Sequence, residues 1–98
     1  MLESFTCATF EQHLGETFRV GAGDREGVDL MLTEVTALSS SSPDRAREPF
    51  SIVFRGPPDP VMPQQIQRLQ HPGLGTFELF LVPIGPDGEG MQYEAVFT

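Results

Sequence analysis

The sequence predicts a mainly β domain: about six antiparallel strands in a meander, curled into a small barrel or sandwich, with one short N-terminal helix. Three observations carry this. Residues 76–84 and 91–98 read as two strands joined by the turn-forming run Gly85-Pro86-Asp87-Gly88-Glu89-Gly90, which is a β-hairpin signal. The same alternation of apolar and polar residues recurs upstream, most cleanly over 50–55. Ten Gly and nine Pro in 98 residues favour many turns between short strands.

Ninety-eight residues fit one domain, 1–98, and eight Phe within a hydrophobic fraction of 39% supply a core without staples or metals. The formal charge of −8 comes from 14 acidic against 6 basic residues, all of them Arg. Such a field repels phosphate backbones and anionic lipid, so nucleic acid and membranes are poor partners. A cationic partner surface stays open, but acids spread along the chain read first as what keeps a small domain soluble. The single Cys7 excludes an internal disulfide. No secretory signal and no run of roughly 20 apolar residues is visible, so the expected address is cytoplasmic, with export by a route that needs no cleavable signal left open.

In chain order, Thr6 caps a short helix over 7–14 in which Phe10 and Leu14 share a face, and Gly15 stands where a left-handed cap belongs. Two turns of helix are marginal alone, so Phe5, Phe10 and Leu14 must pack on a sheet. Residues 17–20 form a first strand and 21–27, with three Gly, a turn. Over 28–38, Val28, Leu30 and Leu32 alternate, then the apolar phase slips to Val35 and Ala37, which implies a bulge near Thr33 and Glu34.

Residues 39–49 hold four consecutive Ser, two Pro and a charged run, and read as an exposed loop. Over 50–55, Phe50, Ile52 and Phe54 point to the core. Four of the eight residues in 56–63 are Pro, which cannot donate a backbone hydrogen bond, so that segment is a loop. Residues 64–71 form a polar strand with Gln67, Leu69 and His71 on one face and Ile66 on the other, which suits a sheet edge. The strand 76–84 is apolar on both faces: Phe77, Leu79 and Leu81 against Phe80, Val82 and Ile84. One face needs cover from the N-terminal helix or a partner. Met91, Tyr93, Ala95 and Phe97 face the core on the last strand.

No spacing of Cys, His, Ser, Asp or Glu forms a catalytic or metal-ligand pattern. His13 and His71 are the only imidazoles, and His13 lies six residues from Cys7, so they read as a surface residue and a turn residue. Cys7 reads as a semi-buried thiol and Gly21-Ala22-Gly23 as a turn, since no helix follows it and the chain has no Lys for a phosphate loop. Asp87 and Glu89 fall short of the six to eight oxygens that Ca²⁺ takes. Ser39 to Ser42 have no positioned base. Arg55, leaving a strand into a Pro-rigid loop, is placed for a bidentate carboxylate contact, within the protein or on a partner. Neither a cofactor nor a metal is expected.

The segments FEQHLGETF (10–18), EPFSIVFRG (48–56), HPGLGTFELFLVPI (71–84) and YEAVF (93–97) resemble a family of small bacterial domains of unknown function, the DUF6916 type. The resemblance implies a stand-alone β-rich domain and brings no reaction, cofactor or catalytic residue. It also implies an accessory or assembly role beside phage-tail-collar-like proteins.

The expected function is therefore a non-enzymatic protein-interaction or assembly module, self-association included. Arg55, Phe80, Val82 and Ile84 are the candidate interface residues. A small-ligand-binding barrel is the alternative, weakened because a six-stranded barrel is filled by its own side chains.

Overall fold

A computed structural model describes residues 5–21, 27–38, 49–59 and 61–97. Residues 22–26 of the expected Gly-rich turn over 21–27, and 39–48 of the Ser-rich loop over 39–49 with Ser39 to Ser42, lie outside these residues.

Thr6 opens the helix α1 (Cys7–Glu11) through a reciprocal cap: its Oγ1 accepts the Thr9 N–H at 3.3 Å while Thr9 Oγ1 accepts the Thr6 N–H at 2.9 Å. The helix is shorter than its sequence suggests. It stops before Leu14, which is therefore 47% exposed instead of packed, while Phe5 and Phe10 are buried as expected. Gly15 at φ +83° turns the chain, a conformation that a Cβ disfavours, and its N–H donates to Leu32 O at 2.8 Å.

Six strands follow among the described residues: β1 (Thr17–Val20), β2 (Val28–Ala37), β3 (Phe50–Gly56), β4 (Gln65–His71), β5 (Gly75–Pro86) and β6 (Met91–Phe97). They close into an antiparallel barrel in the order β1-β2-β3-β6-β5-β4. The expected curled antiparallel β fold is thus a closed barrel, built from two three-stranded meanders joined side by side. β3 pairs with β6 over its whole length, from Phe50↔Phe97 to Gly56↔Met91. The Pro-rich segment after β3 is too long and too poor in N–H groups for a tight hairpin, so it carries the chain between strands that are not neighbours. Its Met62 N–H donates to the Tyr93 hydroxyl at 2.8 Å, which also satisfies a buried phenol.

The bulge in β2 falls where the slipped apolar phase demands it: the register jumps from Leu32↔Phe54 to Glu34↔Val53, leaving Thr33 as the extra residue. Thr33 Oγ1 donates to Val53 O at 3.1 Å. A second register shift, between Pro83 and Gly85, makes Ile84 the extra residue of β5. β4 is not the free edge that its polar sequence suggests, because closure pairs it with β5 throughout and with β1 at Arg19↔Gln70 and Val20↔Leu69.

Phe10 fills the barrel, its ring centroid 5.3–6.4 Å from those of Phe5, Phe18, Phe50, Phe77 and Phe97. Phe50 and Phe97, a register pair, stack at 4.5 Å with planes 6° apart. Leu30, Leu32, Ile52, Phe54, Leu69 and Leu81 complete an interior of side chains. Burying one such Phe contributes about 1.5–3 kcal/mol, and the five-residue helix persists because Phe10 is anchored this way.

Candidate functional site

Two polar clusters and one apolar face stand out against this frame. The first cluster joins the helix exit to the far end of β4. Glu16 Oε1 lies 2.8 Å from His13 Nδ1 and 2.7 Å from His71 Nε2, and its backbone N–H donates to His13 O. His71 is the last residue of β4, and its side chain is only 6% exposed. Phe18 covers its ring at 4.5 Å. It is therefore not the turn residue that its position before Pro72 suggests, and half-buried His13 lies against it at a centroid distance of 4.5 Å instead of standing alone on the surface.

The Gly73 N–H donates to His71 Nδ1 at 2.9 Å. On that network Nδ1 is the acceptor and Nε2 carries the proton given to Glu16. The hydrogen bond from His71, followed by that from His13, holds the Glu16 carboxyl below its usual range. The ligand atoms of His13, Glu16 and His71 all lie within 4.8 Å of one another, which makes them a group able to hold a metal ion.

The second cluster closes the β5–β6 hairpin onto β3. Asp87 Oδ1 accepts the N–H groups of Glu89 and Gly90 at 2.9 and 3.0 Å, while Asp87 Oδ2 accepts from Arg55 Nε at 2.7 Å. Arg55 Nη1 reaches Glu89 at 3.0 Å. Of the two partners that its sequence position allowed, Arg55 thus takes an internal one. The same pairing holds the Asp87 carboxyl below and the Arg55 guanidinium above their ordinary values. Gly90 is required here, since a Cβ would collide with the carbonyl oxygen of Gly56.

The apolar face is on the outside of the barrel. Ile66 and Phe80 are register partners on β4 and β5, and they are 64% and 51% exposed. Ile84 and, on β6, Val96 are also exposed, and Val82 is half-buried beside Glu94. The helix does not cover Phe80, because it packs against β2 and β3. Phe80, Val82 and Ile84 therefore share a strand face as the sequence indicates, Ile66 and Val96 extend it, and Arg55 sits by the hairpin turn in its own ion cluster.

Cys7 is half-buried; burial and then the neighbouring Glu11 carboxylate push its thiol up, opposite to what a nucleophile needs. Glu16 is the residue that the sequence alone does not single out. The spacing His13-x-x-Glu16 was available, but its completion by His71, 55 positions on, depends on the closure of β1 against β4.

The family model for a domain of unknown function, DUF6916, matches residues 5–97, and the chain belongs to that family. No curated protein and no solved structure shows a significant similarity to it. Among the described residues, no helix is long and apolar enough to cross a membrane.

Proposed function

We propose that the domain is a non-enzymatic protein-interaction module that presents the outer faces of β4, β5 and β6 to a partner whose contact surface is apolar at its centre and basic at its rim. The observation that carries this is the exposed cross-strand pair Ile66–Phe80, continued by Val82, Ile84 and Val96. Contiguous exposed apolar side chains on a sheet mark contact surfaces. The net charge of −8 selects the rim: a basic partner is steered in, whereas a second copy of the same acidic chain is repelled. An assembly role, including one beside tail-collar-like proteins, would use the same face.

The small-ligand alternative has less support. The barrel interior is filled by Phe and Leu side chains, and an open groove of about 310 Å³ beside Thr17, Leu30, Met31 and Arg55 has its charged lining residues already paired, Arg55 with Asp87 and Asp29 with Arg19.

Site-specific photo-crosslinking in the native cell tests the proposal, with the probe placed at Phe80 and, as a control, at Gln12 on the helix. One predominant adduct from position 80, lost in Ile66→Ser and reproduced with the purified basic partner, is expected. A chain–chain adduct would replace the partner by self-association. Equal labelling from both positions, or none from position 80, would overturn the interface.

A further inference from the structure

We propose that His13, Glu16 and His71 are the protein ligands of a site for a borderline divalent transition-metal ion of the Zn²⁺ class. Two imidazole nitrogens and one carboxylate oxygen converge within 4.8 Å, and this N,N,O donor set suits Zn²⁺, Co²⁺, Ni²⁺ or Cu²⁺ better than Mg²⁺ or Ca²⁺, which take oxygen shells. The donors are held by rigid elements. His71 ends a strand paired on both sides and is walled by Phe18, while His13 and Glu16 flank the Gly15 turn, itself tied to β2 through Gly15 N–H to Leu32 O and Leu32 N–H to Glu16 O.

Three protein ligands leave a fourth position for water, and the 47% exposed Glu16 side chain leaves the site open to solvent on its side. With metal–ligand distances of about 2.0–2.2 Å in a tetrahedron, neighbouring donors stand roughly 3.3 Å apart. The Glu16 oxygen must therefore back away from both rings, which an exposed carboxylate on a flexible stem can do.

Loading exchanges protons without redox chemistry. The ion takes the lone pairs of His13 Nδ1, His71 Nε2 and Glu16 Oε1. The two ring protons that those nitrogens give to Glu16 leave, and each ring reprotonates through water on its far nitrogen, Nε2 of His13 and Nδ1 of His71. The His71 proton then meets the Gly73 N–H, which donates to that same Nδ1 in the protonic state. Two donors cannot share the bond, so the turn Pro72-Gly73-Leu74 must rotate the Gly73 amide away. The hydrogen-bonded clasp and the metal site are thus alternative states of one cluster, and Gly73 reports which is present.

The experiment uses the whole domain after chelator treatment, with ZnCl₂ as the probe in calorimetry and melting, CoCl₂ in visible spectroscopy, and amide NMR during the Zn²⁺ titration. Two isosteres separate the states: His13→Asn and His71→Gln each keep an N–H where the ring nitrogen now donates to Glu16, yet each removes a ligand. The expected result is one Zn²⁺ per chain with a raised melting temperature, visible Co²⁺ bands, and a displaced Gly73 amide resonance. His13→Asn should match the wild type without metal, whereas His71→Gln should melt lower because the Gly73 N–H loses its Nδ1 acceptor. Each should bind Zn²⁺ about tenfold or more weakly, since even an outer-shell loss costs that much. Absence of stoichiometric Zn²⁺ binding to the wild type would overturn the site. So would binding undiminished in both variants, as surface carboxylates would give, or binding that leaves the Gly73 resonance unmoved.

Discussion

Along β5, Phe77, Leu79 and Leu81 are buried inside the barrel, whereas Phe80 and Ile84, of the same chemistry and on the same strand, are about half exposed. Inward residues meet Phe10, Phe5 and the strands opposite; outward ones meet their cross-strand neighbours and solvent. Apolar character by itself therefore does not report contribution to stability. The inner row holds the barrel shut, while the outer row does not, and the proposed contact with another molecule would account for it.

The strongest way to break this comparison is to remove the strand that both rows lean on. Deleting residues 93–98 takes away most of β6, which pairs with β3 on one side and β5 on the other, together with buried Tyr93 and Phe97. We expect an unfolded or aggregated chain by circular dichroism and light scattering; a monomer with an unchanged β spectrum would show that the barrel does not depend on β6. Phe10→Ala is next. It empties the centre of the aromatic cluster and should cost about 3–5 kcal/mol in denaturant unfolding. A loss no larger than that of a surface substitution would mean that the helix does not plug the barrel.

The polar clusters rank below the core. Arg55→Ala should lower the melting temperature more than Arg19→Ala, because Arg55 grips Asp87 and Glu89 with its side chain 27% exposed, while Arg19 and Asp29 are 55% and 62% exposed. Equal melting temperatures would reduce the Arg55 cluster to a surface pair. Acid sharpens the same point. Glu16 and Asp87 titrate below their ordinary range when folded, so their contribution is complete above the unfolded carboxylate value near pH ~4 and is lost as pH falls through the lower folded values. Glu16→Gln and Asp87→Asn should each flatten the acid limb of a melting-temperature profile, and an unchanged limb would remove those groups from the linkage. The smallest effect belongs to the outer row: Phe80→Ser should shift unfolding by no more than about 0.5 kcal/mol. A loss comparable to Phe10→Ala would show that Phe80 is part of the core.

Local pattern determined a good deal of this protein. The β class, the hairpin around Asp87, the Thr6 cap and the bulge at Thr33 are each written in a few neighbouring residues, because period-2 alternation, turn chemistry and capping act over short distances. The core faces of β3 and β6 follow from the same alternation. What the sequence did not disclose is which strands meet. Whether β3 turns back on β4 or reaches β6, and whether β4 stays an edge, depends on pairings between segments far apart in the chain, and these are chosen by collective burial around Phe10. The early end of the helix, which leaves Leu14 in solvent, likewise goes with a distant contact, the bonding of the Gly15 turn to Leu32 on β2. The His13–Glu16–His71 cluster shows the same division: the first two residues lie one turn apart in the sequence, and the third arrives only because β1 closes against β4. Residue types and spacing fix local geometry, but convergence of side chains 55 positions apart is a property of the closed barrel.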